Sequence, residues 1–179
     1  MRRPIVLLGV ISSHDLTDYR DASWTPQGDR ILVCAQGLAG RVFDSNTLAE
    51  LRRFETPEAS VAHAALAPDG DDTAFISVER RRATLAVHDA SDNRLVISHR
   101  IGSGGNALAF SPDGTLLAAA GKFNVAVWNA KSGALVAGMS EMLPQVTDVQ
   151  FLPDSRRVLF SGRMGPMCVW TVADTLRIR

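Results

Sequence analysis

The chain has 179 residues, 46% hydrophobic and 21% charged, and its 19 basic and 19 acidic side chains cancel at neutral pH. That is the composition of a globular chain, not a disordered one. A zero net charge excludes bulk attraction to nucleic acid or an anionic membrane, and no apolar run nears the roughly 18 residues of a spanning helix.

Residues 1–13 begin Met1-Arg2-Arg3-Pro4 and continue into the apolar run 5–11. The run is short for the core of a secretion signal and no small-x-small cleavage site follows it, so it reads as a β-strand. From residue 14 onward one pattern recurs. Trp24-Thr25-Pro26-Gln27-Gly28-Asp29, Leu66-Ala67-Pro68-Asp69-Gly70, Phe110-Ser111-Pro112-Asp113-Gly114 and Phe151-Leu152-Pro153-Asp154-Ser155 place their prolines 42, 44 and 41 residues apart.

Around each proline the same pieces return in order. A first strand is predicted over 19–24, 61–66, 107–110 and 146–151, with Val146, Val149 and Phe151 separated by polar residues as on a half-buried strand. The turn follows because proline presets φ and glycine accepts a positive one. A second apolar strand is predicted over 30–35, 73–78, 116–120 and 157–161. A third ends in Val42-Phe43-Asp44, Val87-His88-Asp89, Val127-Trp128-Asn129 and Val169-Trp170-Thr171. A more polar fourth strand is predicted over 48–54, 95–101 and 135–139. A period of about 40–45 residues built from four short strands is the mark of propeller blades.

With those residues in view, the chain resembles the WD40-repeat proteins, whose units carry a strand ending Phe-Ser-Pro-Asp-Gly and a Trp-Asp pair. Phe110–Gly114 with Val127-Trp128-Asn129 matches best, and the resemblance covers about residues 14–179. It implies an all-β fold of about four four-stranded blades, near 14–54, 55–101, 102–139 and 140–179, with 1–13 as the outer strand of a fastening blade. It also implies a non-catalytic scaffold that holds a peptide or protein on its top face, without cofactor or metal. The family's Gly-His pair is missing from every unit, with only His14-Asp15 near such a position. Its aspartate six residues before the tryptophan is replaced by Gly37, Arg82, Lys122 and Met164. The buried His–Asp–Ser/Thr–Trp network of that family is therefore not expected, and apolar packing holds the blades instead.

Four blades are few for the family. The expectation stays threefold: a small closed ring, a half-propeller completed by a second copy, or a piece of a longer array. An open arc leaves an apolar face at each end, which soluble monomers rarely expose. In a closed ring or a dimer, strand 5–11 pairs with the strand ending Cys168–Thr171.

Residues able to carry chemistry are scattered. His88 takes the slot of Phe43, Trp128 and Trp170 and reads as a packing substitution. Only His14, Asp18, His63 and Asp148 qualify as channel-facing groups of a hydrolase- or lactonase-like propeller enzyme, the rival reading; a truncated remnant without a ligand is the other. Cys34 and Cys168 lie in apolar runs with no CxxC pattern and read as buried free thiols in a reduced compartment such as the cytoplasm. Gly102-Ser103-Gly104-Gly105-Asn106 reads as a flexible inter-blade loop, and Asp69, Asp71 and Asp72 as a solvated turn.

Charge is sorted by face. Arg80, Arg81, Arg82, Lys122 and Arg163 fall in loops after second strands, on the top face of a propeller, while Asp29, Asp69, Asp71, Asp72, Asp89, Asp92, Asp113, Asp154 and Asp174 fall on the opposite side. The second unit is longer than the others at 79–83, and insertions in repeats gather on binding loops. Met142 and Met164, the latter in Met164-Gly165-Pro166-Met167, add adaptable apolar surface. The expected partner is an acidic or phosphorylated peptide on Arg80, Arg81, Arg82, Lys122, Arg163, Met142 and Met164.

Overall fold

The computed structural model describes residues 19–25, 27–35, 38–54, 60–70, 72–80, 82–89, 95–102, 104–140, 145–163 and 165–172. They form fifteen strands and no helix. The first sheet holds β1 (Tyr19–Trp24), β2 (Arg30–Ala35), β3 (Leu38–Asp44) and β4 (Glu50–Phe54). The second holds β5 (Ser60–Leu66), β6 (Asp72–Glu79), β7 (Arg82–Asp89) and β8 (Leu95–Gly102). The third holds β9 (Gly105–Phe110), β10 (Leu116–Gly121), β11 (Val125–Asn129) and β12 (Leu135–Met139). The last holds β13 (Val146–Phe151), β14 (Arg157–Gly162) and β15 (Cys168–Thr171). Every sheet is an antiparallel meander in chain order, three with four strands and the last with three among the described residues. The architecture is that of WD40-like propeller blades, as the repeat predicts. The fastening strand predicted over 5–11 lies outside the described residues.

The recurring turn is one piece of geometry used four times. Its first residue (Thr25, Ala67, Ser111 or Leu152) donates its N–H across the hairpin, and its carbonyl accepts from Gly28, Gly70, Gly114 or Ser155. The residue that donates to this carbonyl needs a positive φ. Three blades supply glycine, and the fourth holds Ser155 at φ 58°, where its hydroxyl accepts from the Asp113 N–H of the preceding blade at 3.1 Å.

The inner strands carry a second recurrence. Each of β1, β5, β9 and β13 has one extra residue against its partner: Arg20, Ala62, Asn106 and Thr147. A bulge bends and twists the strand that carries it, so the four inner strands turn alike near their upper ends. They pack side by side, β1 on β5, β5 on β9 and β9 on β13.

Between blades the packing is apolar. Leu32, Cys34 and Val42 meet Val61, Ala64, Leu66 and Phe75. Ala74, Ile76, Leu85 and Val87 meet Leu117, Ala119 and Trp128. Ala118, Ala120, Val125 and Val127 meet Val146, Val149, Val158 and Phe160. Successive residues of β10 enter different clusters, which is why that strand reads as an unbroken apolar run and not an alternating one. Val169 is the counterpart of the buried Val42, Val87 and Val127, yet it is 56% exposed, because no further sheet covers its face among the described residues. In place of the family's buried network, His99 stacks on Trp128 at 5.7 Å and donates from Nε2 to the Gly133 carbonyl at 2.8 Å.

Several expectations need correction. Gly102, Gly105 and Asn106 belong to strands and not to a loop: Gly102 ends β8, Gly105 starts β9 and is buried, and Asn106 donates to the Val146 carbonyl at 2.6 Å. The extra residues at 79–83 do not make a long loop. They lengthen β6 and β7, whose last paired residues Glu79 and Arg82 leave two residues for the turn. Leu48 belongs to a turn, with φ 58°, and β4 starts at Glu50. Cys168 and Trp170 are half-buried and not core residues: they pack against the cluster shared with the third blade, but from β15, beside which no fourth strand lies among the described residues.

Candidate functional site

Three structural positions deserve comparison as sites: the channel between the inner strands, the lower turns and the upper face. The channel is a concave space of about 420 Å³ with an apolar wall that includes Trp24, Leu66, Pro68, Phe110 and Val149. Trp24 is 74% exposed there. Of the four groups weighed as channel chemistry, His14 and Asp18 lie outside the described residues. His63 is held in an inter-blade contact, its Nδ1 3.3 Å from Asp21 Oδ2, and the same oxygen accepts the Ala64 N–H at 3.2 Å. Asp148 does line this space, from β13, two blades from β5, and its Oδ1 accepts the Val149 N–H. No cluster of three metal-ligating side chains occurs among the described residues. His88 packs edge-on against Phe75 at 5.8 Å, as a residue in an aromatic slot should.

The lower carboxylates are engaged within their turns. Asp44 accepts from the Thr47 and Asn46 backbone N–H groups and the Thr47 hydroxyl, which together hold its carboxyl below the ordinary value of 3.8. Asp154 lies low for the same reason, through the Arg156 N–H and then the Arg157 guanidinium. At Asp113 partial burial works against ionisation, but hydrogen bonds from Ser111 and Thr115 outweigh it and the net displacement is downward. Asp29 accepts from the Thr25 hydroxyl. These aspartates are turn-building groups, and the acidic lower side follows from turn chemistry.

The upper face differs. Arg80, at the tip of the β6–β7 hairpin, is 91% exposed and among the described residues forms an ion pair with Glu79 alone, at 4.0 Å. Its φ is +45°, a left-handed conformation that favours glycine or asparagine. Arg82, Arg100, Lys122 and Arg163 are exposed. The first two line one cavity with Arg80 and Glu79.

Backbone contacts carry the basic surface onward across two more blades. A Cβ at Gly104 would lie 3.8 Å from Lys122 Cβ. The Lys122 carbonyl accepts from Val146 N at 3.1 Å, and Arg163 N donates to the Gln145 carbonyl at 2.9 Å. Lys122 Nζ also stands 5.1 Å over the Phe123 ring. The geometry thus brings Arg80 and Arg82 together, and Lys122 and Arg163 together on either side of Gln145-Val146. Arg81, Met142 and Met164 lie outside the described residues; the nearby Met167 is 68% exposed.

Arg100 was not among the residues expected here. It sits inside β8 and reaches the upper face by strand register, opposite Thr84. The polar Ser98-His99-Arg100 stretch of an otherwise apolar strand is the only signal of it in the sequence.

The family model for the WD domain, G-beta repeat, matches residues 94–129. That span is the outer strand β8 followed by β9, β10 and β11, so the matched repeat is offset by one strand from the blade. It falls on the unit whose Phe110–Gly114 turn and Trp128-Asn129 pair match best in the sequence. No curated protein matches the chain. A WD40 repeat supports, at the level of the family, a protein-interaction scaffold.

Proposed function

We propose that the chain is a non-catalytic interaction module that holds an acidic or phosphorylated peptide on its upper face. The observation that carries this reading is the contrast between the two sides. Asp29, Asp44, Asp113 and Asp154 of the lower turns are tied into local hydrogen bonds, whereas Arg82, Arg100, Lys122 and Arg163 make no ion pair among the described residues. Arginine forks suit carboxylate and phosphate oxygens, and exposed cations outside local ion pairs stay available to a partner.

The strain at Arg80 points the same way. A side chain held at positive φ in a two-residue hairpin costs stability that glycine or asparagine would not. The exposed Phe123 ring beneath Lys122 adds apolar surface for the uncharged part of a peptide.

The test compares peptide-array and pull-down recovery by the wild-type chain and an Arg80→Ser, Arg81→Ser, Arg82→Ser variant at low and moderate salt. Expected are recovery of acidic peptides that falls as salt rises, weaker recovery by the variant, and a nearly unchanged melting temperature. Equal recovery by both proteins would overturn the reading.

A further inference from the structure

One cavity of about 360 Å³ on the second blade gathers Ser77, Glu79, Arg80, Arg82, Thr84 and Arg100. We propose that it seats the phosphate monoester of a phosphoserine or phosphothreonine side chain. This deepens the reading of an acidic or phosphorylated partner and rests on it.

Strand register builds the cavity. Ser77 on β6 is paired with Thr84 on β7, and Thr84 with Arg100 on β8. Directly paired residues share a face of the sheet, so two hydroxyls and a guanidinium stand in one row across three strands. Two rungs higher, on the same face, Glu79 is paired with Arg82, and Arg80 follows at the hairpin tip. The row shares its face with Phe75, which packs on the first blade, so the cavity opens on the side of the sheet that faces that blade.

The donor set selects the ligand class. Each guanidinium offers up to five N–H donors and each hydroxyl one, more than the two oxygens of a carboxylate can use. A phosphate monoester brings three terminal oxygens and about −1.5 to −2 of charge at neutral pH. Arg82 and Arg100 have no ion pair among the described residues, and the 4.0 Å contact of Arg80 with Glu79 joins two groups that are 91% and 73% exposed. Three cations against the single carboxylate of Glu79 leave the space with a net positive charge that an entering anion offsets. Glu79 opposes that anion, which makes it diagnostic: removing its charge should tighten phosphate binding, a gain that a damaged fold cannot produce.

The experiment titrates the full chain with N-acetyl-phosphoserine amide, N-acetyl-aspartate amide and inorganic phosphate, read by amide chemical shifts. The phosphoserine amide is expected to move the signals of Ser77, Thr84 and Arg100 and to bind about tenfold tighter than the aspartate amide. Arg100→Gln should weaken it about tenfold, and Glu79→Gln should tighten it about threefold.

Equal affinity for the two amides, shifts confined to Lys122 and Arg163, or no gain from Glu79→Gln would overturn the proposal. Inorganic phosphate binding as tightly as the amide would overturn its assignment to a peptide side chain. If acidic peptides are recovered by the wild-type chain and lost by the triple-serine variant, while the phosphoserine amide moves none of Ser77, Thr84 and Arg100, the upper-face reading stands and this seat falls.

Discussion

Gly105 lies against Ile76 so closely that a Cβ on the glycine would fall 2.0 Å from Ile76 Cγ2. The pair joins the inner strand of the third blade to the buried second strand of the second. Ile76 is fully buried, so its methyl has nowhere to retreat. Gly105→Ala should therefore cost about 1–3 kcal/mol by overpacking, measured as a lower midpoint of urea unfolding. In an Ile76→Ala background the same change should be nearly neutral, because the colliding methyl is gone. A full cost in both backgrounds would show that the two sites are not coupled.

Arg80 offers a test in which stability and binding move in opposite directions. Arg80→Asn relieves a positive φ in a tight hairpin, and thermal unfolding should shift upward by an amount equivalent to about 1 kcal/mol. Peptide recovery should fall, since the variant lacks one cation of the upper face. A variant that binds as well as wild type would separate the arginine from the interaction.

The lower turns predict how the fold responds to acid. Asp44, Asp113 and Asp154 each have a carboxyl held below its ordinary 3.8 by turn hydrogen bonds. A carboxyl lowered on folding stabilises the native state fully above its unfolded pKa, about 3.9, and loses that contribution as pH falls through the folded value. The gap in unfolding midpoint between wild type and an Asp113→Asn, Asp154→Asn variant should be open at pH 7 and closed near pH 2. A gap that does not narrow in acid would mean that these carboxylates contribute through geometry alone.

The two cysteines should part in reactivity. Burial pushes the Cys34 thiol up to about 12, and the negative charge of Asp21 adds to it. Cys168 is half-buried on β15, the outermost described strand of its sheet. A disulfide reagent at pH 8 should titrate one thiol in the native protein and two in urea, and Cys168→Ser should abolish the native reaction. Rapid native modification of Cys34 would contradict the packing of the first two blades.

The strand pattern was legible because the repeated turn makes a backbone demand that only a few residue types meet. Pro68-Asp69-Gly70 and Pro112-Asp113-Gly114 announce a hairpin wherever they stand, and Ser155 kept the phase of the fourth copy. The inner-strand bulges were not legible: Arg20, Ala62, Asn106 and Thr147 share no chemistry, and their common trait is a position in a ladder.

The site was half legible for a related reason. Arg80, Arg82, Lys122 and Arg163 could be assigned to the upper face by counting strands. Arg100, Ser77 and Thr84 come together by cross-strand register, and the place of Arg100 depends on a shift in β8 next to the Thr84 pair that no residue type requires. Gly102–Asn106 misled because its glycines look permissive, whereas Gly105 is glycine for lack of room.

The bulges fall at Arg20, Ala62, Asn106 and Thr147, in step with the proline turns, even though the second blade is longer than its neighbours. All of the extra length extends β6 and β7 past the level at which β5 bends. The hairpin tip is thus a cantilever clamped at its base: residues can be gained or exchanged at its free end without altering the angle between one blade and the next. Recognition can drift quickly there while the scaffold beneath stays in register.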